Sequence, residues 1–580
     1  MSTVLKVPPP EWRLKKFDPE PLAQLESLRL LRPLAKALLH LGLRAQDVDA
    51  FLNPSLEGWT RMSSFESLQN GAPKVWDLLL SRQPICIHGD FDTDGLCASL
   101  ILHSCLKVLG LEVFSHLPTR EQGHGISLES LQHVAARGAR CVITVDCGIS
   151  ANDVARKAKE IDVALVITDH HLPDAELPLA DVIINPQLDG PGHHRSLSGA
   201  GVALKLALEL SQRAPESKTR GAAFAEFLRH ATVLATIATV ADVMPLLGDN
   251  RPLVAQGLKL LPEVTWPGLK CLIKELKFSA KTRAEDLAFQ LIPRLNSAQR
   301  LERGDLLHSL FECSDDSEAQ KIVNELNELN LRRRSLQKEF SDLALARVHP
   351  VSPEARLIWL RGEEWQEGFS GLIATRLAQT YNRPAAVVRQ QNGHLQASCR
   401  APEGFNLKAA LDGIKPLLEM YGGHAQAAGF KAHVDREDEI RVQLEQKLEE
   451  SCVGPWTAPS LLIIDEIPFL DLKDHLLDEL NRLEPYGQGN GKPLFATKGL
   501  MIDGNLRLMG SDQSHVSFRV FTAGLPSIEA IGFGLAEELQ ALDNFGKIDI
   551  VYHLGRSPYG GKLQLQVQSI RQHRITQRHA

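Results

Sequence analysis

Short apolar runs separated by amphipathic stretches set the rhythm of the first half of the chain. Pro84-Ile-Cys-Ile87, Cys141-Val-Ile-Thr-Val145, Val163-Ala-Leu-Val-Ile167 and Asp181-Val-Ile-Ile184 read as buried strands. Between them the period lengthens to that of helices. Cys97, Leu100, Ile101, Cys105 and Val108 share one face, with Gly110 as terminator. A second helix is expected from Ser127 to Gly138, and Ser150 with Asp153 resembles a capping box for a third. Strands made of continuous Val, Ile and Leu and linked by helices imply a parallel sheet covered on both faces.

The pattern changes twice further on. Residues 315–349 form one long helical stretch carrying Arg332, Arg333, Arg334 and Lys338, which reads as a connecting helix with a solvated face. Leu357–Leu360 and Pro384–Val388 are strands of a second α/β unit, closed by the Gly-rich Tyr421–Phe430. Alternation then takes over, as in His515-Val-Ser-Phe-Arg-Val-Phe521 and Lys562–Gln568. With runs near 497–502, 528–533 and 548–554 this supplies enough strands for a small barrel. The expected organisation is an N-terminal helical extension (1–75), a first α/β domain (76–314), the connecting helix (315–349), a second α/β domain (350–455) and a β-barrel (456–580).

Composition narrows the class only a little. A chain of 580 residues exceeds what one core supports, and 43% apolar with 23% charged residues is ordinary for a globular protein. The net charge of −7 announces no global basic field, and it leaves a local basic groove possible. Nine cysteines lack CxxC pairing; Cys86, Cys97, Cys105 and Cys141 fall within apolar patterns and read as reduced core residues, which fits a cytoplasmic location. The N-terminus carries no signal-like apolar segment, and no uninterrupted apolar stretch reaches bilayer-spanning length, so no membrane span is expected.

The polar residues that follow the apolar runs carry the candidate chemistry. They are His88, Asp92 and Asp94 in Ile87-His-Gly-Asp-Phe-Asp-Thr-Asp-Gly95, then Asp146, His170 and Asp242. In parallel sheets, sites collect at the carboxyl ends of strands, so residues following these strands are expected along one edge. A single Asp after a strand is more often a turn former or helix cap. Six ordered ligand types at successive strand ends are not explained that way. Oxygen-rich sites with some imidazole suit Mn²⁺ or Mg²⁺ better than structural zinc. Two such ions roughly 3.5–4 Å apart can activate water and stabilise a leaving oxygen. Hydrolysis of a phosphate bond is the leading expectation.

The segments HGDFDTDG (88–95), ITVDCGIS (143–150), VITDHHLP (166–173), IINPQ (183–187), SGAGVALKLAL (198–208), TVADVMPL (239–246), PRLNSAQR (293–300), GGHAQAAGF (422–430) and LEPYGQGN (483–490) occur in one order along the chain. In them the chain resembles the DHH phosphoesterase superfamily, named for the tripeptide seen here as Asp169-His170-His171, and within it the branch of bacterial single-strand-specific exonucleases. The resemblance runs from residue 30 to 572. It implies an α/β architecture: a parallel-sheet DHH catalytic domain, a long helix, a second α/β DHH-associated domain, and a C-terminal barrel like the oligonucleotide-binding (OB) fold.

The same resemblance implies a pair of divalent cations, Mn²⁺ or Mg²⁺, held by His88, Asp92, Asp94, Asp146, His170 and Asp242, with Asp146 as the bridge. His171 is expected at the scissile phosphate or in proton transfer, and Asp90 as a buttress of its loop. Arg120 matches a phosphate-binding arginine, and Ser398 with Arg400 a pocket for a terminal 5′ phosphate. Arg294, Asn296 and Arg300 are expected along the substrate cleft. Gly422 and Gly423 allow backbone to approach a ligand beside His424, or make a tight turn. Phe518, Arg519 and Tyr552 are candidate single-strand contacts on the barrel.

The implied activity is 5′-to-3′ degradation of single-stranded DNA to mononucleotides, in repair and recombination. A single-strand-binding protein and a RecQ-type helicase are the implied collaborators of a monomeric enzyme. Two alternatives stand beside it: a DHH phosphodiesterase of short oligoribonucleotides or cyclic dinucleotides, and a non-catalytic single-strand-binding scaffold. The chain departs from the family pattern at His124, Gln299 and Gln366, where Tyr, Gly and His are usual.

Overall fold

The computed structural model describes residues 9–573, apart from 58, 60–64, 119–122, 124, 350, 353–354, 452–458, 511, 543–545 and 559. Two units emerge: Phe17–Asn330 with Lys473–Pro493, and the remaining residues.

The first unit is built on a five-stranded, wholly parallel sheet in the order Val113–His116, Ile85–Gly89, Cys141–Val145, Ala164–Thr168, Val182–Ile184. The three central strands are buried throughout, as their continuous Val, Ile and Cys content dictates. Alternate side chains feed two cores. Ile85, Ile87, Cys141, Ile143 and Val145 pack with helices Glu66–Ser81, Thr93–Leu109, Gly199–Ser211 and Ala222–Ala241. Cys86, Val142, Leu165 and Ile167 pack on the other face with Val134 and Val154. The expected strands appear within a residue or two of their predicted bounds. The edge strand Val113–His116 lies outside the sequence expectation, because Ser115 and His116 interrupt its apolar run.

Helix Thr93–Leu109 ends at Gly110 in the left-handed region (φ 88°), and Ser127 caps helix Leu128–Ala136 by accepting from the Ser130 N–H. The capping box expected at Ser150 does not form. Turns from Gly148 to Asn152 consume those residues, and helix Asn152–Glu160 starts from Ala151 without a side-chain cap. Helix Glu66–Ser81 runs straight through the boundary expected at residue 75, since Leu68, Ala72, Val75 and Leu79 belong to the main core.

Asp242 corrects the sequence reading more substantially. It closes a helix, Ala222–Ala241, and not a strand. The β-branched run before it looks like a strand, but burial on nearly every side of the helix overrides local propensity. That helix is long and apolar enough to cross a bilayer, and most of it is buried inside the unit.

The second unit holds a five-stranded sheet ordered Met420–Gly423, Ala427–His433, His394–Arg400, Ala385–Gln391, Ile358–Arg361, antiparallel except for its last pair. It also holds a barrel of Phe495–Met509, His515–Phe521, Ile528–Gly532, Leu563–Gln572 and Ile548–Arg556, closed by pairing of the first strand with the last. The N-terminal stretch, expected to be helical, contributes strand Glu11–Leu14, paired in parallel with Ser460–Ile463. Trp12 fixes it there by donating to Ser569 Oγ at 3.1 Å and lying under the Arg571 guanidinium at 4.0 Å. The long helix is Asp316–Val348. Residues 473–493, expected within the barrel domain, pack with the first unit instead.

Candidate metal centre and phosphate-binding residues

Register builds the centre. Gly89 lies opposite Val145, and Val145 opposite Thr168. The next residues are Asp90, Asp146 and Asp169, so three carboxylates leave three adjacent strands at one level. Asp92 then caps helix Thr93–Leu109, accepting the Gly95 N–H at 3.0 Å, and Asp94 sits in that helix's first turn. The two are therefore on a helix start, where carboxylates are favoured, and not on a free loop.

Around this edge the ligand types converge. Atoms of Asp90, Asp92 and Asp146 lie within 4.8 Å of one another, as do those of Asp94, His170 and Asp242, and those of Asp146, His170 and His171. His170 Nε2 is 3.0 Å from Asp146 Oδ1, 3.7 Å from Asp242 Oδ2 and 3.8 Å from Asp94 Oδ2. Asp94 is held from behind by the first N–H groups of helix Gly199–Ser211: Gly199 and Ala200 donate to its two oxygens, each at 2.7 Å. Position 199 tolerates only glycine, because a Cβ there would lie 2.5 Å from Asp146. Asp146 and Val243, which follows Asp242, have positive φ (61° and 54°). For an aspartate this is uncommon, and for a β-branched valine it is strained.

The electrostatics of the cluster fit cations. Burial, then the charges of Asp94 and Asp92, push Asp146 well above the usual carboxylate range. The same causes raise Asp242 to about 8. Asp146 Oδ1 is buried without a hydrogen bond of good geometry, and so are both ring nitrogens of His88. Burial and the neighbouring His116 lower His88 to about 4, keeping it the neutral imidazole a metal requires. Crowded carboxylates with unsatisfied buried oxygens and a neutral imidazole suit hard divalent ions. His88, expected among the ligands, belongs to none of the three groups among the described residues; its ring lies 5.2 Å from that of His116.

Sequence alone does not single out Asp169 beyond its place in the tripeptide. It is 1% exposed and accepts from the N–H groups of Ile149, His170 and His171, and it lies 2.8 Å from His171 Nδ1. Burial alone would lower His171, but the hydrogen bond and charge of Asp169 win and raise it to about 9. Asp90 accepts from Phe91 and Gly125 N–H groups, which makes it a buttress of the loop.

Helix Ile292–Arg300 reaches the metal loop directly. Thr93 Oγ1 donates to Asn296 Oδ1 at 2.7 Å, and the Gln299 amide donates to the Phe91 carbonyl. Arg294 donates to Asn327 Oδ1 and the Gln290 carbonyl, and Arg300 ends the helix. In the other unit, Ser398, Gly429 and Gly422 form one cross-strand row, with Gly423 and His424 at its end. The Arg400 guanidinium lies at the start of helix Ser370–Tyr381, 2.9 Å from where a Cβ of Gly371 would be. Arg120 and His124 lie outside the described residues. On the barrel, Phe518 and Tyr552 are corrected to core residues: Phe518 is buried, and Tyr552 is buried with its hydroxyl bonded to Thr497. Arg519 is exposed and donates to Ser527.

Comparison with known proteins identifies the domains. Residues 84–232 match the DHH family, N-terminal domain; 354–450 match the DHHA1 domain; 464–570 match the RecJ OB domain. The chain is 32% identical over 560 residues to the single-stranded-DNA-specific exonuclease RecJ of Thermus thermophilus, covering 92% of this chain and 78% of that protein. For RecJ of Escherichia coli the identity is 29% over 544 residues, covering 89% and 92%. The crystal structure of Thermus thermophilus RecJ in complex with Mn²⁺ superposes with a TM-score of 0.81 at 28% identity, covering 97% of this chain and 80% of that one.

Proposed function

The chain belongs to the RecJ family of single-stranded-DNA-specific exonucleases, and on that footing we propose how its residues share the reaction. It is a metal-dependent exonuclease of single-stranded DNA that uses two divalent cations, Mn²⁺ or Mg²⁺. The observation that carries this reading is the convergence of Asp92, Asp94, Asp146, His170 and Asp242 on one sheet edge, with the buried Asp146 Oδ1 left unsatisfied.

In our reading His88, Asp92, Asp94, Asp146, His170 and Asp242 would hold the two cations, with Asp146 shared between them. Bound there, the cations supply charge neutralisation at the phosphate and a water of lowered pKa. Asp169 fixes His171 through Nδ1 and raises it above its ordinary value by hydrogen bond and charge, so that the ring can donate a proton to the scissile phosphate or its leaving oxygen. Arg294, Asn296, Arg300 and Arg120 contact the strand backbone. Ser398 and Arg400, with Gly422, Gly423 and His424, take the 5′ phosphate, for which a guanidinium fork and a hydroxyl are suited donors. An anchored 5′ end sets a 5′-to-3′ polarity and release of mononucleotides.

We further propose the domain limits 76–314, 315–349, 350–455 and 456–580 as functional divisions, with the catalytic fold extended back to Glu66 and residues 473–493 reassigned to it. A role in DNA repair and recombination follows, as a cytoplasmic monomer working with a single-strand-binding protein and a RecQ-type helicase. The direct test uses matched 5′-labelled and 3′-labelled single-stranded DNA with Mn²⁺. Immediate release of labelled mononucleotide from the 5′-labelled strand alone, abolished in Asp146→Ala, is the expected result. Cleavage of neither strand by the unaltered protein would overturn the reading.

A further inference from the structure

The segment Leu483–Asn490, Leu-Glu-Pro-Tyr-Gly-Gln-Gly-Asn, has no part in the chemistry above. In the chain it falls between barrel strands Asp465–Glu466 and Phe495–Met509, yet it packs with the first unit, against the residues that follow Asp242. The Leu246 N–H donates to the Gln488 carbonyl at 2.8 Å. A Cβ on Gly487 would fall 2.6 Å from Leu246 Cδ1, and one on Gly489 (φ 74°) 3.1 Å from Leu247 Cδ1. Arg251, 2% exposed, donates to the carbonyls of Leu483 (2.9 Å), Glu484 (2.8 Å) and Arg482 (3.2 Å), and to that of Phe51 (2.8 Å). Asn490 holds the loop's own shape by donating to the Leu483 and Pro485 carbonyls, each at 2.8 Å.

We infer that Leu483–Asn490 is a positioning element for the metal centre, delivered from the C-terminal part of the chain and locked by Arg251. Two routes lead from it to metal ligands. The first is short. Val243 is held in its strained conformation between Asp242 and Met244, whose N–H returns to the Thr239 carbonyl, and the turn is pinned at its far end by Leu246 on Gln488. The second passes through Asn250, whose amide donates to the Pro245 carbonyl at 3.0 Å and the Ser196 carbonyl at 2.5 Å. Two residues on, Ser198 caps helix Gly199–Ser211, whose first N–H groups grip Asp94. The loop thus braces the supports of Asp242 and of Asp94 together, and loosening it moves ligands without touching either carboxylate.

This inference rests on the metal-site reading, and its test separates the two. In the full chain, Asn490→Ala and Gly489→Ala loosen or displace the loop, Arg251→Met removes its lock, and Asp242→Asn reports on the site itself. Mn²⁺ half-saturation is measured by calorimetric titration and by nuclease activity, beside the melting temperature of the metal-free protein. The loop variants are expected to weaken Mn²⁺ by about 10- to 100-fold, the range for residues that orient ligands from outside. Activity should return at excess Mn²⁺ in the variants whose metal-free melting, lowered by the lost loop contacts, still lies above the assay temperature. Unchanged half-saturation in folded Asn490→Ala and Gly489→Ala, with Asp242→Asn impaired, would overturn the loop's role alone. Unchanged Mn²⁺ binding in Asp242→Asn would overturn the metal assignment beneath it.

Discussion

Nδ1 of His171 lies 2.8 Å from Oδ1 of Asp169, a carboxylate that is 1% exposed while the imidazole is half exposed. A buried anion thereby orients and charges a ring that faces outward. Asp169→Asn keeps an acceptor for the surrounding N–H groups but removes the charge. It is expected to lower kcat by about 100-fold, the scale of losing a positioned proton donor. His171→Ala should cost about as much, and the double variant little more, because the pair acts as one unit. A loss confined to Mn²⁺ affinity would contradict this assignment.

Asp242 and Asp146 predict a pH dependence in the metal-free protein. Burial and neighbouring charge raise both, Asp242 to about 8 from an ordinary 3.8. The folded state therefore holds protons that the unfolded chain has already released in that window. Stability is fully present below 3.8 and is lost as pH rises through about 8. Melting of chelator-treated protein should fall between about pH 5 and 8.5, and Mn²⁺ should raise it most at the upper end, releasing protons as it binds. A metal-free melting temperature that rises with pH over this range would refute the account.

Gly199→Ala tests the close approach behind the bridge. Its Cβ would meet the Asp146 side chain at 2.5 Å, and the helix N–H groups that hold Asp94 would shift with it. Activity and Mn²⁺ affinity should both drop by at least about 10-fold. Gly221→Ala, where nothing lies within 4 Å of the added atom, serves as the control.

Arg400 predicts end discrimination. A lysine there keeps the charge but loses the planar fork. The unaltered enzyme should favour 5′-phosphorylated over 5′-hydroxyl strands, and Arg400→Lys should erase most of that preference through KM rather than kcat. Equal use of both ends by the unaltered enzyme would remove Ser398 and Arg400 from the anchor.

Much of this is legible in sequence because apolar strands announce themselves. Cys141–Val145 matches its apolar run to the residue, and Gly110 stops its helix as expected. Asp242 shows where sequence misleads: Thr239-Val240 before it has the look of a strand, and only burial on all sides makes it helical. The ligand types of the centre are visible as residues after apolar runs, but their supports are not. Asp94 is held by backbone N–H groups 105 and 106 residues away, and Asp169 by its own local turn and the Ile149 N–H, none of which leaves a periodic signal. Strand Glu11–Leu14 escapes for the same reason, since its partner lies near residue 460.

The barrel offers the sharpest contrast between a sequence expectation and packing. Phe518 and Tyr552 are core residues, whereas Phe533 is 62% exposed beside the His515 ring, at 5.4 Å in an edge-on arrangement. Tyr552→Phe loses only its bond to Thr497, a cost of about 1 kcal/mol. It should lower the melting temperature and leave single-strand affinity intact. Phe533→Ala should do the reverse. An exposed aromatic on an OB-type surface stacks a base for about 1–3 kcal/mol, so affinity for single-stranded DNA should fall several-fold or more with melting unchanged. Affinity can be read by fluorescence anisotropy with Ca²⁺ in place of Mn²⁺ to suppress cleavage. If Tyr552→Phe weakens binding and Phe533→Ala does not, the strand runs over another face of the barrel.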